Sequence, residues 1–253
     1  MKARHRTGQR AMARAIMQPT YTIYCENKPF RVESPSLTDQ LTRKYWSRGN
    51  FYEGKLLQFI RSLQLSGTYV DCGANLGNHS IFFANFCQPT RLLSIEAVPA
   101  IYDIMVRNVQ RNLPDNAVFE PANWALHHRG GWVAEFDPPN PQNLGGTEMR
   151  IRPRHVNDTV TGLRANTVHT LALDDLIAPD EHVAVIKMDL EGGEPMALVG
   201  AAATVLRCQP LLVIEANRPS MLETLDSLVA GFGLGYRRLP ETPKKLTYLW
   251  QVS

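Results

Sequence analysis

Four carboxylates close four apolar runs: Asp71 after Thr68-Tyr69-Val70, Glu96 after Leu92-Leu93-Ser94-Ile95, Asp189 after Val183 to Met188, and Glu215 after Leu211-Leu212-Val213-Ile214. Runs of this composition suit strands buried on both faces, as in a parallel sheet. An acid at the C-terminal end of such a strand lies on the edge where ligands bind. There it can accept hydrogen bonds from hydroxyls, take up a proton or attract a cation. Any one of the four could instead cap a helix, but four on one edge exceed what packing requires.

The first acid leads into Cys72-Gly73-Ala74-Asn75-Leu76-Gly77-Asn78-His79-Ser80, a strand-turn-helix sequence in which Gly73 and Gly77 permit a tight turn and close approach to a ligand. Ile81-Phe82-Phe83-Ala84 continues it as a helix whose first amides face the turn. The dinucleotide fingerprint would need glycine at positions 75 and 78, where Asn75 and Asn78 stand, so a pyrophosphate finds less room. A phosphate-free ligand whose amino-acid end meets a carboxylate suits this turn, and S-adenosylmethionine fits that description. Glu96 is placed to accept hydrogen bonds from its two ribose hydroxyls. For the turn alone, an ordinary strand-turn-helix with an asparagine in the loop is the other reading.

Taken together, Val70 to Ser80, Ser94-Ile95-Glu96-Ala97, Leu171 to Leu176, Ile186-Lys187-Met188-Asp189-Leu190-Glu191-Gly192-Gly193-Glu194 and Val213-Ile214-Glu215 resemble the FkbM family of S-adenosylmethionine-dependent methyltransferases, over roughly residues 50 to 250. Met188, Leu190 and Gly193 depart from the family's usual Lys-Ile-Asp-Val-Glu-Gly-Ala-Glu, while the charged positions stand. The resemblance implies an α/β, Rossmann-like class I methyltransferase fold: a mostly parallel seven-stranded sheet with one antiparallel strand and helices on both faces. It also implies O-methylation of a hydroxyl on a sugar, glycan or natural product.

On that reading the cofactor is held by Asp71, Gly73, Ala74, Asn75, Gly77 and Asn78 in the turn, by Glu96 and Ala97, and by Asp189. Asn123 and Trp124, after a third strand at 117–122, would meet the adenine, one on its exocyclic amine and the other as a wall; alternatively Trp124 is core. The resemblance places Glu53 near the methionine end of the cofactor, against a solvated acid at a helix start. Asp189 is the first candidate for cofactor or acceptor contact. Glu191 and Glu215 would orient the acceptor, and His79 or Lys187 would serve as base, with His79 otherwise a helix-start residue. A metal held by Asp189, Glu191 and Glu215 is only a weak alternative, and none is assigned, because no histidine lies close enough in sequence to complete the set.

Around this machinery the chain divides into a basic tail at 1–20, a hairpin and helical lid at 21–66, and a catalytic domain at 67–253. Tyr21 to Cys25 and Phe30 to Val32 flank a turn, and a helical region runs from Ser36 to about Leu65. Gly49 to Lys55 mimics a phosphate loop, but Leu56 cannot ligate magnesium and no strand precedes it. Ile101, Ile104, Met105 and Val109 recur at helical spacing as core. Residues 132–136 and 148–155 alternate as an inserted hairpin with a long loop. There Arg150, Arg152 and Arg154 share a face, either for an anionic substrate or as solvated charge.

The 253 residues suit one domain with attachments, and their net charge of +3 is uneven. Lys2, Arg4, Arg6, Arg10 and Arg14 precede the first acid, Glu26, leaving 22 basic against 24 acidic residues in the remainder. With no aromatic residues between its charges, the tail reads as a solubilising extension rather than a grip on nucleic acid. Cys25, Cys72, Cys87 and Cys208 lack metal spacing and read as reduced thiols, and no run is long and apolar enough to span a membrane. Both features point to the cytoplasm. Transfer to nitrogen or to nucleic acid, and a partner-binding module without chemistry, are the competing readings; oligomeric state is not encoded in these patterns.

Overall fold

The computed structural model describes residues 18–137, 140–154, 166–240 and 246–252; the basic tail before residue 18 lies outside them. The chain opens with a hairpin of β1 (Thr20–Cys25) and β2 (Lys28–Glu33), paired from Thr20↔Glu33 to Cys25↔Lys28. Glu26 and Asn27 both have positive φ, the two-residue turn that matches strand twist. Next comes the stretch expected to be one helical region, and it is broken. Helix α1 (Gln40–Lys44) gives way to a 3-10 turn at Trp46–Arg48, Gly49 ends that turn at φ +74°, and α2 (Gly54–Ser62) starts afresh.

Strand and helix then alternate: β3 (Thr68–Cys72), α3 (Asn78–Phe82), β4 (Leu92–Ile95), α4 (Pro99–Arg111) and β5 (Phe119–Ala122). An insertion follows with β6 (Ala125–Leu126), β7 (Trp132–Phe136), β8 (Met149–Pro153) and β9 (Thr167–Leu171). The expected hairpin is present as β7 and β8, but it belongs to a four-stranded sheet of order β6-β9-β7-β8. The main unit resumes with β10 (Val183–Met188), α5 (Glu194–Val199), α6 (Ala202–Cys208), β11 (Leu211–Glu215), α7 (Pro219–Gly231), β12 (Tyr236–Arg238) and β13 (Thr247–Val252).

The main sheet has seven strands in the order β12-β13-β11-β10-β3-β4-β5, and only the pairs made by β13 are antiparallel. Every residue of β3, β4 and β10 is buried, as an all-apolar run with helices on both sides requires. One face packs under α2, α3 and α4 through Leu57, Phe82 and Met105, and the other under α5, α6 and α7 through Leu198, Val205 and Leu225. Each such side chain contributes roughly 1.5–3 kcal/mol by leaving water. Strand order runs outward one way from β3 to β5 and the other way from β10 to β11. The reversal between β3 and β10 opens a crevice above their C-terminal ends, where ligands of such sheets bind.

Candidate functional site

Gly73 and Gly77 are required by the turn's own geometry. At Gly73 φ is +74°, and a Cβ there would sit 1.9 Å from the Asp189 carbonyl oxygen at the end of the neighbouring β10. At Gly77 φ is +87° and a Cβ would meet Val109 on α4 at 2.8 Å. Gly77 therefore serves helix packing, not the ligand approach expected of it, while Gly73 lets two strand ends come together beside the crevice.

Glu96, directly after β4, folds back onto this turn. Its Oε2 accepts the Asn75 amide at 2.9 Å and its Oε1 the Val98 amide at 2.9 Å. The Asn123 side-chain amide donates to the Glu96 and Ala97 carbonyls at 2.7 and 2.9 Å. Asn123 is thus a staple for the β4 end, a role the sequence did not suggest beside its expected place on the adenine. Burial pushes the Glu96 carboxyl up, and the two amide donors only partly offset this.

Behind the turn lies a closed polar cluster. Lys187 reaches Asp71 at 3.2 Å and donates to the Gly73 carbonyl at 3.0 Å. Burial alone would lower its pKa, but Asp71, Asp189 and Glu53 raise it well above the ordinary lysine value. Lys187 therefore stays protonated and cannot be the base. Burial would raise Asp71, yet Lys187, His79 and the Ser80 hydroxyl hold it below its ordinary value. With no exposed surface, Asp71 is a counter-ion and does not meet a ligand, contrary to the sequence expectation. His79 faces Glu53 at 3.0 Å, with both side chains buried, so neither the proposed base nor the proposed methionine contact reaches the crevice. Asn78 is also turned inward: its Oδ1 accepts the Trp46 indole and the Tyr52 amide, and its Nδ2 donates to the Tyr52 carbonyl. Ala74 is buried core.

A cavity of about 360 Å³ lies above the sheet edge, walled by Gly73, Asn75, Glu96, Ala97, Trp124 and Asp189 among others. Leu144, Met149 and Ile151 of the insertion cover it, while Trp124 both lines it and packs on the core beneath. Among the described residues its charged walls are Glu96, Glu148, Asp189 and Glu191 against the Arg218 guanidinium. The Asn75 Oδ1 is buried with no protein partner, an acceptor awaiting a donor. A second cavity of about 240 Å³ adjoins it, sharing Asn75, Gly145, Asp189 and Glu191 and adding Glu215.

Glu194 was not singled out from the sequence. It is 1% exposed, and its carboxylate accepts the Leu190 amide at 2.7 Å and the Gly192 amide at 3.1 Å. That contact folds the loop carrying Glu191, which adopts φ +52°. The available signal was an acid directly after a Gly-Gly pair. The insertion arginines are engaged across the ladder, Arg150 with Asp137 at 3.0 Å and Arg152 with Glu135 at 2.7 Å.

The sequence profile of the methyltransferase FkbM domain matches residues 71–238. A methyltransferase FkbM from Methylobacillus flagellatus KT superposes with a TM-score of 0.50 at 20% identity, over 74% of this chain and 43% of that one. This chain thus spans less than half of that relative's length. The O-methyltransferase from Bacillus cereus in complex with SAH gives a TM-score of 0.44 at 13% identity, covering 79% of this chain and 80% of the other. TYW2 from M. jannaschii in complex with AdoMet gives 0.42 at 11% identity, covering 92% and 84% respectively. A search of curated proteins returns no match.

Proposed function

The chain belongs to the FkbM methyltransferase family, and from that premise we propose that it transfers a methyl group from S-adenosylmethionine to a hydroxyl of a sugar, glycan or natural product. The observation that carries the reading is Glu96, pinned by two amides on the wall of the larger cavity. Each carboxylate oxygen keeps a lone pair for a ribose hydroxyl. The excess of carboxylates over Arg218 around that cavity suits a ligand carrying a sulfonium and an ammonium, and opposes a pyrophosphate.

When bound, the cofactor supplies an already activated methyl group. The chain's part is to hold the acceptor oxygen in line with it and to keep water out, which can supply much of the acceleration. Glu96 and Asn75 orient the nucleoside. Asp189 and Glu191, at the junction of the two cavities, accept the acceptor's hydroxyl proton or fix its orientation, with Glu215 on the far wall. Lys187 and His79 act indirectly, through the turn that they support. Four free thiols and no described helix long and apolar enough to cross a membrane support a cytoplasmic setting.

Calorimetry with S-adenosylmethionine, S-adenosylhomocysteine and NAD tests the reading. Both sulfur ligands are expected to bind the wild type and to lose at least about tenfold in affinity with Glu96→Ala, the equivalent of one charge-assisted hydrogen bond. NAD binding in their place would overturn it.

A further inference from the structure

The N-terminal segment and the insertion loop, a hundred residues apart in sequence, are clasped over the site. Asp39 is 2% exposed, and its carboxylate takes two backbone donors at once, Thr42 N–H on α1 at 3.0 Å and Leu144 N–H of the insertion at 3.1 Å. The Gln40 amide donates to the Gln142 carbonyl at 3.0 Å, and the Ser36 and Thr38 hydroxyls both donate to the Pro141 carbonyl. Beneath this clasp lies the smaller cavity, lined by Tyr45 and Tyr52, by Asp189, Glu191 and Glu215, and by Lys44 of α1. The two tyrosine rings meet edge to face at 4.9 Å, and Asn78 fixes the Tyr52 backbone from behind.

We propose that this clasped cavity is the acceptor site, that Asp39 is the positioning residue that assembles it, and that it takes one ring-sized polyhydroxylated unit without negative charge. The proposal rests on the methyl-transfer reading above, since this cavity adjoins the one assigned to the cofactor across a shared wall of Asn75, Gly145, Asp189 and Glu191. Its volume of about 240 Å³ falls below the roughly 300–1,000 Å³ usual for drug-sized ligands, leaving room for a single ring. Among the described residues Asp189, Glu191 and Glu215 outnumber Lys44 around it, and carboxylates accept hydrogen bonds from vicinal hydroxyls and repel anions. Paired tyrosines offer an apolar wall to the C–H face of a sugar ring and a hydroxyl at its edge. The buried Asn75 Oδ1, without a protein partner, stands on the wall that the two cavities share.

Saturation-transfer NMR on the full chain loaded with S-adenosylhomocysteine is the test, with methyl α-D-glucopyranoside and glucuronate as probes. The neutral glycoside is expected to receive saturation and glucuronate not. Tyr52→Ala should abolish the signal, and Asp39→Asn, which removes one of the two acceptors, should weaken the glycoside about tenfold while leaving S-adenosylhomocysteine affinity within about twofold. A merely structural role for Asp39 would weaken both ligands together, and Tyr45→Leu gives a second wall variant should Asp39→Asn fail to fold. Equal or stronger binding of glucuronate, or silence from both probes on a protein that binds S-adenosylhomocysteine, overturns the proposal. Failure to bind S-adenosylhomocysteine at all would instead refute the methyl-transfer reading.

Discussion

Lys187 shows why a residue's type and place in a motif do not settle its role. It follows four apolar strand residues and precedes Asp189, and that pattern marks it as close to the chemistry; its protonation state depends on Asp71, Glu53 and Asp189, which only the fold brings around it. Replacing it with methionine leaves Asp71 charged and unpaired with no exposed surface, at a cost of about 3–5 kcal/mol near neutral pH. The sign follows from linkage. In the wild type, Asp71 is held below 3.8, so its contribution is present above that value and lost as pH falls through the lowered pKa. In Lys187→Met the same carboxyl is raised by burial, so the variant is relatively better off when acidified. Thermal unfolding from pH 7 to pH 5 should therefore show the gap to the wild type narrowing; a constant gap would mean the pair carries no charge effect. Glu96 gives a second pH prediction of opposite use. Its carboxyl is raised above 4.5, and ribose recognition needs the ionised form, so S-adenosylhomocysteine affinity should begin to fall above pH 4.5 as the solution is acidified. Calorimetry across pH 7 to 4.5, with Glu96→Gln giving a flat profile, checks it. Glu96 and Asp189 could be found in the sequence because they end strands. The inward turn of Asp71, Asn78 and His79 could not, because facing the cavity or the core depends on a half-turn of backbone that residue types do not fix.

At the scale of elements, the two loops that shape the cavity are held by contacts of different kinds. The β3 turn depends on Gly73, where any Cβ would collide with the Asp189 carbonyl. The β10 turn depends on Glu194, whose carboxylate replaces the hydrogen bonds that Leu190 and Gly192 would otherwise lack. Glu194→Ala leaves those amides without their partner and frees Glu191 from its left-handed conformation. We expect a stability loss of about 1–3 kcal/mol by denaturant titration and a weakened affinity for S-adenosylhomocysteine, both partly rescued by Glu194→Gln, which keeps one acceptor oxygen. Burial would be the whole role of Glu194 if alanine raised the affinity or left it unchanged. The five parallel strands of the main sheet were legible because apolar runs bounded by glycine, proline and acids have few alternatives; β12 and β13, mixed in polarity, were not. The break between α1 and α2 was not, since Gly49 and Asn50 interrupt an otherwise helical pattern whose end is set by Asn78 binding Trp46 and Tyr52. Strand β9 escaped notice because Thr167-Val168-His169-Thr170-Leu171 is short and half polar, and it gains its place by pairing with β7.

Across the whole molecule, the sequence reads 21–66 as an attachment to the catalytic domain, and the contacts favour one cooperative unit. Ile23, Phe30 and Val32 of the hairpin belong to the same apolar cluster as Leu76, Phe82 and Met105. Helix α4 binds β2 with two asparagines one turn apart. Asn108 accepts the Glu33 amide at 2.6 Å and donates to the Glu33 carbonyl and to the Leu76 carbonyl, each at 2.9 Å; Asn112 accepts the Arg31 amide and donates to its carbonyl. Arg107 and Arg111 add ion pairs to the Glu33 carboxylate. Asn108 thus joins three parts at one buried point: the hairpin, the helix and the cofactor turn. Asn108→Ala would strip partners from three backbone groups, a loss of about 2–4 kcal/mol once water re-enters some of them. If the chain is one unit, chemical denaturation followed by far-UV circular dichroism and by tryptophan emission should give a single transition for the variant. Its midpoint should be lower and its slope unchanged from the wild type. Two separated transitions, or early proteolysis confined to residues 20–33 with the main midpoint intact, would show that the hairpin unfolds alone and that the boundary near residue 66 is real.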